Sequence, residues 1–192
     1  MTSQASAPSS AAPAAPETPF RETRWEPEFD WLTDTLAVGG CFAIEDAVHM
    51  ARPPHKIAAV IDLREEDRDD DRLLRDAGIA FLHLPTPDMF TASGAMLDDG
   101  VAFARAHLDR GDKVLIHCQH GIGRSALLAL CVMVDQGLAP LEALEQAKTR
   151  RTRVSPSQSQ YEGWSEWLRR NGHPVPSYHD FGCIAYRHLA RG

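Results

Sequence analysis

The sequence has few cysteines, and none of them are closely paired. Its 192 residues contain Cys41, Cys118, Cys131 and Cys183, and no C-x-x-C pair is present. A zinc ribbon and a dense disulfide framework both need closely spaced thiols, so neither is indicated. Because reduced thiols are the default for such spacing, we expect a cytoplasmic protein.

Long apolar runs are also missing. No stretch approaches the roughly 18 consecutive apolar residues of a membrane-spanning helix. The first residues lack the basic region and the continuous apolar region of a signal peptide. We therefore expect a soluble, intracellular protein without a membrane span.

The chain has no excess of positive charge. Its formal net charge is -7 at pH 7, and its isoelectric point is about 5.7. Nucleic acids and anionic membranes are bound by basic surfaces, so a general binder of either is not expected. The sequence contains no cluster of metal ligands, and we expect neither a cofactor nor a metal. Nothing in it indicates an oligomeric state.

Composition divides the chain into three parts. Residues 1–20 are dominated by alanine, proline, serine and threonine, which predicts a flexible tail. A hydrophobic content of 43% suits one domain of ordinary size, which we place at residues 21–172. Residues 173–192 are a C-terminal extension of unknown role. Four apolar residues in it predict a short docked helix: Ile184, Ala185, Leu189 and Ala190.

Apolar strands alternate with amphipathic helices through the middle of the chain. Strands are predicted over Leu36–Val38, Ile57–Ile61, Ile79–Leu84 and Lys113–Ile116. This alternation predicts a single α/β domain with a central, mainly parallel sheet flanked by helices on both faces. In such folds, ligands bind beyond the carboxyl ends of the strands. We interpret the charged run from Arg64 to Arg75 as a solvated loop and helix face.

The last of these strands leads into a loop that suits an anion. His117 and Cys118 follow the strand, Gly121 and Gly123 permit a tight turn, and Arg124 begins an apolar helix. Backbone N–H groups at such a helix start converge on one centre, which favours a bound phosphate. The same positive field stabilises a cysteine thiolate, which is the nucleophilic form of the side chain. The guanidinium of Arg124 matches two phosphoryl oxygens.

The segment His117-Cys118-x-x-Gly121-x-x-Arg124-Ser125 resembles the H-C-x5-R-[ST] signature of the cysteine-dependent protein tyrosine phosphatases. The resemblance is closest to the small dual-specificity branch and covers roughly residues 31–170. Other matching stretches are the early strand Leu36–Gly40, the strand with charged exit Val60–Glu65, and the general-acid loop Leu84-Pro85-x-x-Asp88.

The resemblance implies a role for each matching residue. Cys118 would be the nucleophile, and Arg124 would bind the equatorial oxygens of the transferred phosphoryl group. Asp88 would protonate the leaving oxygen and later activate water, while Ser125 would stabilise the departing sulfur. His117 would support the loop from behind. The backbone of the loop would bind phosphate through Gln119, His120, Gly121, Ile122, Gly123 and Arg124.

Two assignments leave alternatives open. Asp88 is also a plausible turn residue, in which case Asp98 or Asp99 would be a poorer substitute as the acid. Past the signature, Gln158 is the candidate for positioning water and Gln160 the second choice. A plain helix start is an equal interpretation of that segment.

The expected activity is the hydrolysis of phosphate monoesters through a cysteinyl-phosphate intermediate. A loop without lysine argues against inositol lipids, and missing long recognition loops suggest a shallow pocket. Phosphotyrosine in a protein or peptide is the expected substrate, with possible phosphoserine and phosphothreonine activity. The alternatives are a phosphoinositide or other non-protein phosphoester, a phosphoryl-binding scaffold with weak turnover, and a redox enzyme that pairs Cys118 with Cys41 or Cys131.

Overall fold

A sheet of five strands lies at the centre of the computed structural model, which describes residues 27–189. The strands are β1 (Phe29–Trp31), β2 (Leu36–Gly39), β3 (Ile57–Arg64), β4 (Ala80–Thr86) and β5 (Lys113–His117). Their spatial order is β1-β2-β5-β3-β4. Only the β1–β2 pair is antiparallel; the other three pairs are parallel. The predicted mainly parallel sheet is confirmed, and the tail predicted for residues 1–20 lies outside the described residues.

Seven α-helices surround the sheet within the described part of the chain. They are α1 (Ala47–Ala51), α2 (Asp71–Asp76), α3 (Gly94–Leu108), α4 (Arg124–Asp135), α5 (Pro140–Arg150), α6 (Gln158–Arg170) and α7 (Tyr178–Ala185). Side-chain oxygens cap several of their N-termini by accepting hydrogen bonds from backbone N–H groups that would otherwise be unpaired. Asp70, Ser93, Ser157 and Ser177 do so for α2, α3, α6 and α7.

Helices cover both faces of the sheet, as predicted. Along β5, Val114 and Ile116 face a large core that contains the inward side of α4, whereas Leu115 faces a smaller core. Met50 of α1 and Leu74 of α2 belong to that smaller core. The alternation follows from the two-residue period of a strand. It leaves β5 buried on both sides and fixes the backbone that enters the loop from Cys118 to Gly123.

The C-terminal segment contributes to the main core. Phe181 and Ala185 of α7 are buried there, and the Tyr186 hydroxyl donates a 2.7 Å hydrogen bond to the Pro156 carbonyl. The predicted docked helix is present, but it begins upstream of the apolar pattern, because Ser177 caps it. Leu189 was predicted to dock and is exposed instead.

The interpretation of the charged run as a wholly solvated segment is wrong at two positions. Arg64 and Asp69 are buried, and the Arg64 Nη2 atom lies 3.0 Å from Asp62 Oδ2 and 2.5 Å from Asp69 Oδ1. Buried charges are tolerated when they pair and hydrogen-bond, which a sequence pattern does not reveal. As for membranes, none of the helices within residues 27–189 is long and apolar enough to span one.

Candidate active site

Three parallel strands deliver the site residues to one edge of the sheet. Cys118 directly follows β5, Asp88 follows β4, and Glu66 follows β3. Arg124 is the first residue of α4, and its Nη2 atom lies 3.3 Å from Asp88 Oδ1. The structure therefore brings Cys118, Arg124 and Asp88 together as the sequence analysis expected.

Every carbonyl from residue 119 to residue 122 is held from outside the loop. The N–H of Cys41 donates to the Gln119 carbonyl at 3.1 Å, and the N–H of Ser155 donates to the Ile122 carbonyl at 2.9 Å. The carbonyls of His120 and Gly121 both accept from Arg151, at 3.0 and 2.8 Å. A trans peptide points its N–H opposite to its C=O. The N–H groups of this loop therefore converge on its interior.

Gly121 is required by this backbone. It has a φ of +64°, in the left-handed region that side chains with a Cβ rarely adopt. A Cβ there would lie 2.5 Å from the Gly39 carbonyl carbon, which belongs to the neighbouring strand. The loop thus closes tightly against β2 only with glycine at this position.

The Cys118 thiol lies at the centre of the loop and is buried. Its Sγ is 3.3 Å from the Ser125 Oγ. Burial by itself raises the pKa of the thiol, but hydrogen bonds from Ser125 and from the N–H groups of His120 and Gly121 outweigh that effect. The pKa of Cys118 is therefore below its ordinary value, which increases the fraction of reactive thiolate.

Arg124 is buried and fully oriented by its partners. Its Nη1 donates to Glu66 Oε2 at 2.7 Å and to the Thr86 carbonyl at 2.9 Å. Its Nη2 donates to Glu66 Oε1 at 2.7 Å. The ion pair lowers the pKa of Glu66 to about 2. Glu66 is not among the residues predicted from the sequence, because it lies inside the charged run; the available signal is its position just beyond the parallel strand β3.

Asp88 lies in a loop that is tied to the start of α6. The Ser157 Oγ donates to the Met89 carbonyl at 2.6 Å, and the Gln160 Nε2 donates to the Phe90 carbonyl at 3.1 Å. Met89 has a φ of +65°, an uncommon conformation for a side chain of that type. The backbone beside Asp88 is thus held in place while its carboxyl remains exposed.

Residues 45–170 match the family model described as "Dual specificity phosphatase, catalytic domain". The chain belongs to this family. Mouse laforin is 38% identical over 61 residues, which are 31% of this chain and only 18% of laforin. As a member of the dual-specificity phosphatase family, the protein has the fold of cysteine-based phosphoester hydrolases.

Solved structures agree with the family assignment. The active form of Tk-PTP has 27% identity and a TM-score of 0.67, covering 75% of this chain and 98% of that chain. PTPMT1 in complex with PI(5)P has 23% identity and a TM-score of 0.69, with 74% and 96% covered. Human DUSP28 has 18% identity and a TM-score of 0.64, with 77% and 97% covered. The last two likenesses establish the fold alone.

Of the two glutamines considered for positioning water, the structure places Gln160, the second choice, against the loop at Gly123, and places Gln158 away from it. Gln158 is exposed and donates to Glu162 at 3.0 Å on the outer side of α6. Gln160 is buried, and a Cβ on Gly123 would lie 2.5 Å from its Oε1. The two side chains differ because residues two apart on a helix point about 200° apart.

The Asp98 side chain forms hydrogen bonds between α3 and α6, away from Arg124. Its Oδ1 accepts from Trp167 Nε1 at 3.0 Å and from Arg170 Nη2 at 2.8 Å, linking α3 to α6. Asp99 follows it on α3 and is exposed. Neither the Asp98 contacts nor the position of α3 places these residues at Arg124, so of the three aspartates only Asp88 lies beside it.

His117 lies behind the phosphatase loop and is completely buried. Its Nε2 is 2.9 Å from Asp69 Oδ2 and 3.7 Å from Asp62 Oδ1. These three groups are close enough together to ligate a metal. However, Arg64 already forms ion pairs with both carboxylates, so the donor set is that of an ion-pair network.

Neither Cys41 nor Cys131 forms a disulfide or a hydrogen bond with Cys118. Cys41 lines a small cavity with Met50 and Leu115, which belong to the core on the opposite side of the sheet from Cys118. Cys131 is completely buried within α4, and burial raises its pKa well above the ordinary value. This arrangement disfavours the pairing that a redox function of the site requires.

Proposed function

We propose that the protein hydrolyses phosphotyrosine in proteins or peptides through a phosphorylated Cys118. The single observation that carries the proposal is the Cys118 thiol, whose pKa is lowered inside a loop of converging N–H groups. Those N–H groups match the oxygens of a phosphoryl group. The thiolate attacks phosphorus while the ester oxygen departs.

Arg124 presents one edge of its guanidinium to the phosphoryl group. Glu66 and the Thr86 carbonyl accept both Nη1 hydrogens and one Nη2 hydrogen. No group among residues 27–189 accepts from Nε. The edge formed by Nε and Nη2 therefore binds two equatorial oxygens, and the buried setting strengthens this stabilisation of the transition state.

Asp88 acts as the general acid in this proposal. In the structure, Asp88 Oδ1 lies 3.3 Å from Arg124 Nη2. A phosphoryl oxygen that binds this nitrogen displaces Asp88 Oδ1 from it. The released carboxyl protonates the ester oxygen as its bond to phosphorus breaks. In the second step the Asp88 carboxylate accepts a proton from water, which attacks phosphorus and yields inorganic phosphate. The Ser125 hydroxyl donates to the departing Cys118 thiolate.

The surface next to Asp88 supports an aromatic leaving group. Met89 and Phe90 follow Asp88 directly, and both side chains are about 60% exposed, at 61% and 59%. Because Asp88 must reach the leaving oxygen, the group attached to that oxygen lies beside these two apolar side chains. A phosphotyrosine ring buries apolar area there, which a serine or threonine phosphate has too few carbons to match.

Two alternatives are less well supported. Arg124 is the only lysine or arginine in the loop from Cys118 to Ser125, and a single cationic side chain is a poor match for a multiply phosphorylated head group. The PI(5)P complex of PTPMT1 does not alter this, because that protein is only 23% identical. A scaffold without turnover does not explain the convergence of Asp88 on Arg124. The four thiols are free, which supports a reducing compartment such as the cytoplasm.

A substrate panel tests this proposal. The purified protein, with EDTA present, is offered a phosphotyrosine peptide, the matching phosphoserine peptide, a short-chain phosphoinositide and an RNA 5′-phosphate. We expect the highest kcat/KM for the phosphotyrosine peptide and no turnover by Cys118→Ser. Cys183→Ser, which alters an exposed cysteine, is the matched control and should retain activity. A preference for the lipid, or vanadate binding without hydrolysis of any ester, contradicts the proposal.

A further inference from the structure

We infer that Arg151 is a positioning residue that holds the phosphate-binding loop in its anion-binding shape. This inference rests on the proposed function of that loop. Arg151 follows α5, thirty residues from the loop carbonyl that its Nε contacts, and its side chain is only 3% exposed. Its guanidinium bonds to neither Cys118 nor Arg124, so its effect passes through the loop backbone.

Arg151 fixes two successive peptide planes. Its Nη2 donates to the His120 carbonyl at 3.0 Å, and its Nε donates to the Gly121 carbonyl at 2.8 Å. The first carbonyl shares its peptide with the N–H of Gly121, and the second shares its peptide with the N–H of Ile122. Because C=O and N–H are opposed in a trans peptide, both N–H groups turn inward. A charged donor on the carbonyl also polarises the peptide, which strengthens the N–H as a donor.

One of these N–H groups bears directly on the nucleophile. The Gly121 N–H is among the hydrogen bonds that lower the pKa of Cys118. The neighbouring peptides are held by backbone donors, Cys41 for the Gln119 carbonyl and Ser155 for the Ile122 carbonyl. Arg151 is thus the side chain that orients the middle of the loop.

The Arg151 guanidinium is itself anchored by two carboxylates in and next to β1. Arg151 Nη1 lies 2.7 Å from Asp30 Oδ2 in β1, and Nη2 lies 3.1 Å from Glu28 Oε1. These carboxylates neutralise the buried positive charge of Arg151 and fix the orientation of its guanidinium group. They therefore connect the edge strand of the sheet to the phosphate-binding loop.

Arg153 provides a matched control. It pairs with the same Glu28 carboxylate, but its side chain is 51% exposed and, among residues 27–189, donates only to Glu28 and not to a loop carbonyl. An effect that came only from losing a surface ion pair with Glu28 would appear equally in Arg151 and Arg153 variants. An effect on the loop would appear in Arg151 variants alone.

The test compares Arg151→Lys, Arg151→Ala and Arg153→Ala with the unaltered protein. The pH dependence of Cys118 alkylation by iodoacetamide reports the thiolate, and vanadate inhibition reports anion binding. In both Arg151 variants we expect the alkylation curve to move to higher pH, with about a tenfold smaller thiolate fraction below the midpoint. Vanadate should bind about tenfold more weakly. Arg153→Ala should match the unaltered protein in both measurements.

An unchanged alkylation curve in folded Arg151→Lys, or an equal shift in Arg153→Ala, overturns the inference. If the Arg151 variants do not fold, Asp30→Asn keeps the arginine but loosens its anchor. That variant should shift the curve in the same direction by a smaller amount, and no shift overturns the inference. Alkylation needs no turnover, so an inactive protein that shows the Arg151 shift would contradict only the proposed function.

Discussion

The Glu66 carboxylate binds the Arg124 guanidinium through two parallel hydrogen bonds, each 2.7 Å long. The pair leaves the Arg124 Nε without a hydrogen-bond acceptor among residues 27–189. Replacing Glu66 by glutamine removes the charge and one acceptor oxygen while keeping the size of the side chain. We expect kcat/KM for an aryl phosphate to fall about tenfold to a hundredfold, because Arg124 loses a charge-assisted partner. Glu65→Gln, which alters the exposed neighbouring residue, is the control; an equal loss in that variant contradicts the account.

The same pair predicts a pH dependence of stability. Arg124 lowers the pKa of Glu66 from the usual 4.5 to about 2 in the folded protein. The stabilisation is therefore fully present above pH 4.5 and is lost as the pH falls toward 2. Urea unfolding at several pH values should show Glu66→Gln less stable than the unaltered protein near neutral pH. This difference should shrink below pH 4.5, and a constant difference would contradict the predicted linkage.

Gly121→Ala should damage both the fold of the loop and its activity. The added Cβ would lie 2.5 Å from the Gly39 carbonyl carbon, at a backbone φ of +64°. Gly172→Ala is a matched control, since Gly172 has a φ of +77° and open space around its missing Cβ. We expect the control to lose about 1 kcal/mol of unfolding free energy and keep its activity. Gly121→Ala should lose more stability and nearly all activity; equal behaviour of the two variants contradicts the tight approach to β2.

Asp88→Asn should slow hydrolysis in a way that depends on the leaving group. A good leaving group needs little protonation, whereas a poor one depends on the acid, so the loss should grow toward about 10²–10⁴ for poor leaving groups. Rates for a series of aryl phosphates of rising phenol pKa measure this trend. Asp99→Asn on α3 serves as the control and should leave every rate unchanged. A uniform loss across the series would move the acid role to another group.

The sequence predicts those site residues whose position follows from the order of strands, loops and helices along the chain. Cys118 and Arg124 lie on one strand, loop and helix, and Asp88 follows a parallel strand that must end at the same edge. Glu66 also follows a parallel strand, β3, but it lies within a charged run that conceals it, and the position of Arg151 after α5 carries no such signal. They reach the loop through side-chain contacts between segments 58 and 30 residues apart.

Other assignments depend on how side chains pack in the folded protein, which the sequence does not reveal. Gln158 and Gln160 are both polar residues at the start of α6, and only the packing of that helix decides which one faces Gly123. Packing also decides the burial of Arg64, which ends β3, and of Asp69, which lies in the loop before α2. Their charges resemble a solvated run until the fold brings Asp62 and His117 alongside them.

The central claim is that Cys118 carries the phosphoryl group during turnover. Rapid acid quenching of the unaltered protein with an aryl phosphate, followed by peptide mass spectrometry, measures this directly. The account predicts one phosphoryl group on the peptide that contains Cys118, formed within the first turnover and absent from Cys118→Ser. Continued hydrolysis by purified Cys118→Ser, with no phosphorylated Cys118 in the unaltered protein, would contradict it.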